Sequence, residues 1–246
     1  MKTWIAAIRS EKIKLRRSYV LGLAVIDPLL CVLIGLMSDL GTAPEAWNML
    51  FTIMIALHAL FFLPILTGIF AALVCRYEHA GGGWKQILSL PVTRNVLYTS
   101  KFVIVASLVA LNQVLFFATV LGVGLIKGLD VSLIPWGDFG MKLLAGFVAC
   151  LPLAALQLFV SAWWSSFAAP MVLNVIFTIP NMLVVNSEVF GPYYPWAQPM
   201  LVMMRAGGEY DFGAFGLPLE TLLITIGGSS LVFILAGLTY FNRKAV

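Results

Sequence analysis

From Tyr98 to Ile126 the chain carries one charged side chain, Lys101, among aliphatic and aromatic residues. About 20 such residues in a helix cross a hydrocarbon layer of roughly 30 Å. A helix bonds its own backbone, so it is the form in which an isolated apolar stretch can leave water. The same criterion marks six segments, near Tyr19–Met37, Met49–Val74, Tyr98–Ile126, Met141–Trp164, Ala168–Val185 and Leu219–Phe241. They are apolar all round and lack the polar–apolar alternation of a membrane barrel strand. Only 11% of the residues are charged, against roughly 25% in soluble domains. The expected fold is therefore an all-α integral membrane protein with six transmembrane helices. It forms one domain, 1–246, with no repeat and no separate soluble part.

The basic residues orient this chain. Six lie in 1–17 (Lys2, Arg9, Lys12, Lys14, Arg16, Arg17), four in 75–101 (Arg76, Lys85, Arg94, Lys101) and two at the end (Arg243, Lys244). In a six-span chain these three regions share one side, and the positive-inside rule makes that side cytoplasmic. Both termini are thus expected in the cytoplasm. Carboxylates such as Asp39, Glu45, Asp130, Asp138, Glu188, Glu209, Asp211 and Glu220 collect on the other side. A cleaved leader is not expected: Asp27-Pro28 interrupts the first apolar stretch, and no small-residue cleavage site closes it. In 1–17, Met1, Trp4, Ile5, Ile8 and Leu15 fall on one stripe of a helical wheel, which fits an interfacial helix in the headgroup plane. A basic topology anchor without regular structure is the alternative.

The stretch CRYEHAGGGWKQILSLPVTR, Cys75–Arg94, breaks the apolar pattern. Gly81, Gly82 and Gly83 each cost about 1 kcal/mol in a helix interior, and they separate the second span from the residues after them. Trp84, Ile87 and Leu88 then recur at helical spacing, with Lys85 and Gln86 pointing away. Pro91 ends this short helix and disfavours helix at Leu90. Thr93 can cap the next helix. A short amphipathic helix held between breaks either lies on the membrane or docks into a partner's groove.

The pattern Arg76-Tyr-Glu78, a glycine run, Trp84-Lys-Gln-Ile-Leu-Ser-Leu-Pro91-Val-Thr-Arg94 and Lys101 resembles the first cytoplasmic loop of ABC exporter permeases. It is most similar to the six-span class that includes lantibiotic-immunity and bacitracin-export permeases. The basic start, the six spans and the aromatic segment near the end agree with that resemblance. It implies that residues 76–91 carry a cytoplasmic coupling helix that sits on an ATPase subunit. Glu78 would be the acidic residue before it, Trp84 to Leu90 would be the contact surface, and Arg94 and Lys101 would begin the third span. Glu78, Trp84, Ile87, Leu88, Pro91 and Arg94 are thus the implied ATPase-coupling residues. The residues alone also allow Glu78 to be a solvated loop carboxylate and Trp84 an interfacial anchor. The implied partners are cytoplasmic ABC ATPase subunits, a second permease chain (identical or related), membrane lipid and an amphipathic peptide substrate, with no nucleic acid. The implied location is the bacterial plasma membrane, and the implied function is export of a lantibiotic-like or other amphipathic peptide antibiotic. Alternatives are export of a lipid or small hydrophobic drug by the same fold, or a non-transporting scaffold or sensor subunit.

No GxxxxGK[ST] phosphate loop occurs, so this chain is not expected to be an enzyme. ATP and Mg would act on the partner, and no cofactor or metal is expected here. Two histidines, His58 and His79, with no HExxH, leave zinc-protease and paired-histidine haem chemistry without support. Cys31, Cys75 and Cys150 read as small apolar packing residues. Asp27, next to Pro28 in the first span, costs about 2.5–3.5 kcal/mol at a bilayer centre. It therefore either lines a translocation route or bonds to a neighbouring helix. Asn112, Gln113, Gln157 and Asn174, with Asn181, carry the same two readings. Prolines 64, 152, 170 and 180 imply kinks whose freed carbonyls need partners. Segment 188–218 holds Phe190, Tyr193, Tyr194, Trp196, Tyr210, Phe212 and Phe215. It is expected to form an external re-entrant segment, with Tyr193, Tyr194 and Trp196 as a candidate gate. Met200–Met204 either accepts a hydrophobic ligand or simply packs.

Overall fold

A computed structural model describes residues 2–16, 20–41, 45–79, 82–89, 91–205 and 213–244. Met1, Arg17, Tyr19, Gly81, Leu90, Glu209, Tyr210, Asp211 and Phe212 lie outside the described residues. The described elements are all helical: α1 Lys2–Arg16, α2 Val20–Met37, α3 Ala46–Leu57, a π turn at His58–Phe62, α4 Leu63–His79, α5 Gly83–Leu88 and α6 Arg94–Ile126. They continue as α7 Trp136–Trp163, α8 Ala168–Thr178, α9 Asn181–Val184, α10 Gln198–Met204 and α11 Leu219–Arg243. Short 3-10 turns lie at Val131–Leu133, Gly191–Tyr193 and Gly213–Gly216.

Five of these units are long and apolar enough to cross a membrane: α2, the continuous rod Ala46–His79, α6, α7 and α11. The rod is longer than the Met49–Val74 stretch read from apolar residues, and it carries Arg76 and Glu78 on its last turn. Segment 168–185 falls short of that length. Ile179 keeps helical dihedrals and still donates to Val175 O, but Pro180 has no N–H to carry the ladder on, and α8 and α9 are separate pieces. Together Ala168–Val184 reach about 25 Å at 1.5 Å per residue, less than the roughly 30 Å of a hydrocarbon core.

Two ends of the bundle are distinct. At one end, the terminal face, α1 and the ends of α4, α7 and α11 gather. Trp4 Nε1 donates to Thr99 Oγ1 at 3.4 Å, His79 bonds to Ser161 O at 2.7 Å, and Lys244 Nζ donates to Ala162 O at 2.6 Å. At the opposite end Lys127 Nζ donates to Ser38 O at 2.5 Å and Trp47 Nε1 to Asp130 O at 2.8 Å. Between them lies an aromatic core in which Phe51 stacks on Phe139, centroids 4.0 Å apart. Large side chains such as Leu29, Leu33, Val114, Leu144, Ile224 and Leu231 remain exposed around the flank, as expected of surfaces that meet lipid. Cys31, Cys75 and Cys150 are free and buried.

The prolines explain part of the packing. Pro28 has no N–H to give to Ala24 O, four residues earlier. Asn112 Nδ2 of α6 donates to that carbonyl instead, at 3.0 Å. Pro64 likewise strands Leu60 O inside the π turn, and Asn181 Nδ2 donates to it at 2.9 Å. Each asparagine thus replaces a missing backbone donor and ties two helices together. Asn174 also bridges, donating to Pro64 O at 3.0 Å and Ile65 O at 3.1 Å. It can approach so closely because Gly68 stands opposite: a Cβ there would collide with the Asn174 amide.

This pairing makes a test. Asn112→Leu strands the Ala24 carbonyl and should destabilise the chain by about 1–3 kcal/mol. Adding Pro28→Ala restores the backbone donor and should recover most of the loss. Thermal unfolding in detergent, with both single variants and the double, measures the coupling.

Candidate functional site

The charged side chains of the terminal face do not all seek water. Glu11 of α1, Glu78 of α4 and Lys101 of α6 are buried, and Lys14 of α1 covers them. Glu78 Oε1 accepts from Lys14 Nζ at 2.5 Å, and its Oε2 lies 3.0 Å from Lys101 Nζ as an ion-pair contact. Lys101 also donates to Glu11, at 3.1 and 3.2 Å, and to Val74 O at 2.9 Å. Lys14 closes the ring by pairing with Glu11 at 2.8 Å. Two carboxylates and two ammonium groups cancel, which is the condition for tolerating charge away from water.

Above this quartet sits α5. Gly82 enters it at φ 75°, a left-handed conformation open to glycine. Gly83 lies so near the end of α4 that a Cβ would come 2.8 Å from Tyr77 O. Trp84 is then directed into the bundle, 7% exposed, while Lys85 and Gln86 are exposed and Ile87 and Leu88 half-buried. Trp84 Nε1 donates to His79 Nδ1 at 3.1 Å. His79 can therefore donate only from Nε2, to Ser161 O, which fixes it as the neutral Nε2–H tautomer. The indole packs edge-on against Phe241, centroids 5.3 Å apart. Lys244 Nζ lies 4.6 Å and Lys101 Nζ 5.7 Å from the ring centre, both within cation–π reach. Burial pushes the Lys244 ammonium below its ordinary pKa.

Pro91 is exposed beyond α5. Thr93 caps α6, its Oγ1 accepting from Val96 N. Arg94 turns back to the end of α11, donating from Nη1 to Phe241 O at 3.2 Å, Asn242 O at 2.9 Å and Lys244 O at 2.8 Å. Such carbonyls at a helix end lack intrahelical donors and attract cations. Glu78, Trp84 and Arg94 are thus brought into one assembly. Trp84 is turned away from the outer face of α5.

The polar residues of the spans are brought together in two groups. Asp27 Oδ2 is 2.6 Å from His58 Nδ1, and His58 Nε2 is 3.1 Å from Gln113 Oε1. In the other group, Asn174 Oδ1 accepts from Gln157 Nε2 at 3.0 Å and from Trp196 Nε1 at 2.8 Å. Asn181 also donates to Trp196 O at 2.9 Å. Trp196 is therefore part of the buried core. Tyr193 is exposed, and the Tyr194 hydroxyl donates to Phe177 O at 2.5 Å. Met200–Met203 are buried. A groove of about 280 Å³ opens on the flank between α6 and α7, lined by Gln113, Val114, Phe117, Leu143 and Phe147. Among the described residues no group of three or more His, Cys, Asp or Glu side chains could hold a metal ion.

Glu11, Lys14, His58, His79 and Lys244 were not singled out as site residues from the sequence. Glu11 had a signal: it is the only carboxylate among the six basic residues of 1–17.

Residues 7–181 match the family described as ABC-2 family transporter protein. The chain belongs to that family. The match runs from α1 through the quartet and α5 to the start of α9. No curated protein matches the chain. Membership makes this a multi-pass membrane protein of an ABC-2 transporter, and it implies pairing with an ABC ATPase subunit.

In this transporter chain Lys101→Met should remove about 3–5 kcal/mol of stability, because Glu11 and Glu78 lose their buried cation and two carboxylates are left to share Lys14. The triple variant Lys101→Met, Glu11→Gln, Glu78→Gln should regain most of it. Unfolding midpoints and the yield of monodisperse protein report both changes.

Proposed function

We propose that this chain is the permease subunit of an ATP-driven exporter, with α5 as the coupling helix that meets a cytoplasmic ATPase. ATP and Mg bind on that ATPase, and this chain hydrolyses nothing. Two permease chains, identical or related, form the route in the bacterial plasma membrane. Both termini and α5 lie in the cytoplasm, in accord with twelve of the fifteen basic residues being on that side. Ala168–Val184 acts as a short crossing, so that the chain passes the membrane six times.

The observation that carries this reading is the construction of α5. Its inner side is tied through Trp84 to the ends of α4 and α11 and to Lys101, and through His79 to α7, while its outer side presents Lys85, Gln86 and Ser89. The outer residues, with the edges of Ile87, Leu88 and Pro91, form the ATPase-facing surface. Trp84, Glu78 and Arg94 pass the displacement to the spans. Asp27, Asn112, Gln113, Gln157 and Asn174 hold the route closed, and Tyr193, Tyr194 and Trp196 form its external gate. The cargo is an amphipathic peptide antibiotic of the lantibiotic kind, and its removal protects the cell. The apolar groove between α6 and α7 favours a second reading of the cargo, a lipid or small hydrophobic drug. A non-transporting scaffold is the reading from another class.

Three measurements separate these readings. Lys85→Glu with Gln86→Glu should leave the chain folded and reduce co-purified ATPase by about tenfold, a change of ~1.4 kcal/mol. Trp84→Ala should uncouple hydrolysis from transport while the ATPase stays bound; a scaffold would give no hydrolysis change. Cells with the chain and its ATPase should tolerate an amphipathic peptide antibiotic that kills cells without them. If no peptide in a panel distinguishes the two strains, the peptide cargo is wrong.

A further inference from the structure

Asp27 and His58 meet in the middle of the apolar bundle, and both are completely buried. His58 opens the π turn, a form of helix that re-aims side chains and recurs at functional sites. Both of its ring nitrogens face acceptors. Nδ1 lies 2.6 Å from Asp27 Oδ2, and Nε2 lies 3.1 Å from Gln113 Oε1. The orientation of that amide is set by its other end: Gln113 Nε2 points at Met203 Sδ, 3.8 Å away, and a thioether can only accept. The nitrogen facing the Gln113 oxygen must carry a hydrogen, and the one facing Asp27 must carry a second whenever that carboxyl is ionised, whereas a protonated Asp27 would donate to a bare Nδ1.

Two further contacts favour the charged forms. The Phe116 ring lies flat against the imidazole, centroids 3.9 Å apart and planes 9° from parallel, where an aromatic face attracts a cation. Cys31 Sγ donates to Asp27 Oδ1 at 3.4 Å, which supports an ionised carboxylate. The titratable groups at the ring are Asp27 and Cys31, both from α2. Gln113 and Phe116 come from α6 and Met203 from α10, and none of these ionises. Losing the ring proton would leave the Asp27 charge uncompensated in the bundle.

We propose that Asp27 and His58 form a proton-binding site inside the spanning bundle, with His58 held as an imidazolium against an ionised Asp27. The ligand is a proton, and the site is loaded in this conformation. A movement that draws α2 away from the π turn separates the two charges or admits water, and His58 then gives up its proton. Opening releases one proton and closing takes it back. This site does not depend on the transport reading, since the loaded pair would exist in a chain that moves no cargo.

The test is solid-state NMR of the full chain, labelled with ¹⁵N-histidine, in phospholipid bilayers at about pH 8, where a free imidazole is neutral. The chain has two histidines, and His79→Asn leaves His58 alone. One ring protonated at both nitrogens (His58) and one with a bare Nδ1 (His79) are expected. In Asp27→Asn, which removes the counter-charge, His58 should show a bare nitrogen as well. Should His79→Asn fail to fold, the signal that changes in Asp27→Asn identifies His58. Two neutral rings in the unaltered chain would overturn the proposal without any variant. So would an Asp27→Asn spectrum in which the doubly protonated ring persists.

Discussion

One buried ammonium group organises the terminal face. Lys101 reaches a carboxylate on α1, a carboxylate on α4 and the Val74 carbonyl. Desolvating such a charge is costly, and each partner offsets part of that cost. The arrangement is therefore stable only when α1, α4 and α6 are all in place. Helices that slide on apolar contacts alone have many similar registers. Helices sharing one buried cation have few. Trp84 rests near the same ammonium group, so the position of α5 is linked to that of the three larger helices.

Deeper in the bundle the cohesion has another origin. Proline removes a donor, and the carbonyl it frees cannot turn to water in a hydrocarbon layer. Ala24 O and Leu60 O are the two clearest cases, answered by Asn112 and Asn181 from other helices. The polar residues of the spans thus act first as substitutes for backbone donors. Asn174, with four partners, is the most tightly committed among them.

Much of this architecture could be read from the chain alone, because apolar length and helix breakers are local signals. The runs around Tyr98–Ile126 and Leu219–Phe241 announced crossings, and Gly82-Gly83 with Pro91 announced a short separate helix. Segment 168–185 is apolar throughout, and counting apolar residues does not show that it is divided at Pro180 into helices of 11 and 4 residues. Pairings were illegible for a different reason. Pro28 and Asn112 are both visible in the sequence, but their meeting depends on how α2 crosses α6. Lys101 read as one of the basic residues that orient the chain, and only the approach of Glu11 and Glu78 makes it a buried hub. Trp84 read as a contact surface or an anchor; its partner His79 shows which way the indole turns. Asp27 was weighed as a lone carboxylate because His58 is 31 residues away and on a different helix.

The central claim is mechanical: α1 and α5, joined through Glu11, Lys101, Glu78 and Trp84, move as one body when the ATPase acts. Spin labels at the exposed positions Lys12 and Lys85, with a third at Leu133 on the opposite end, test it in the assembled complex. Across the nucleotide cycle the 12–85 distance distribution should stay fixed while the 85–133 distribution shifts. A 12–85 distance that changes with nucleotide while 85–133 does not would contradict the account.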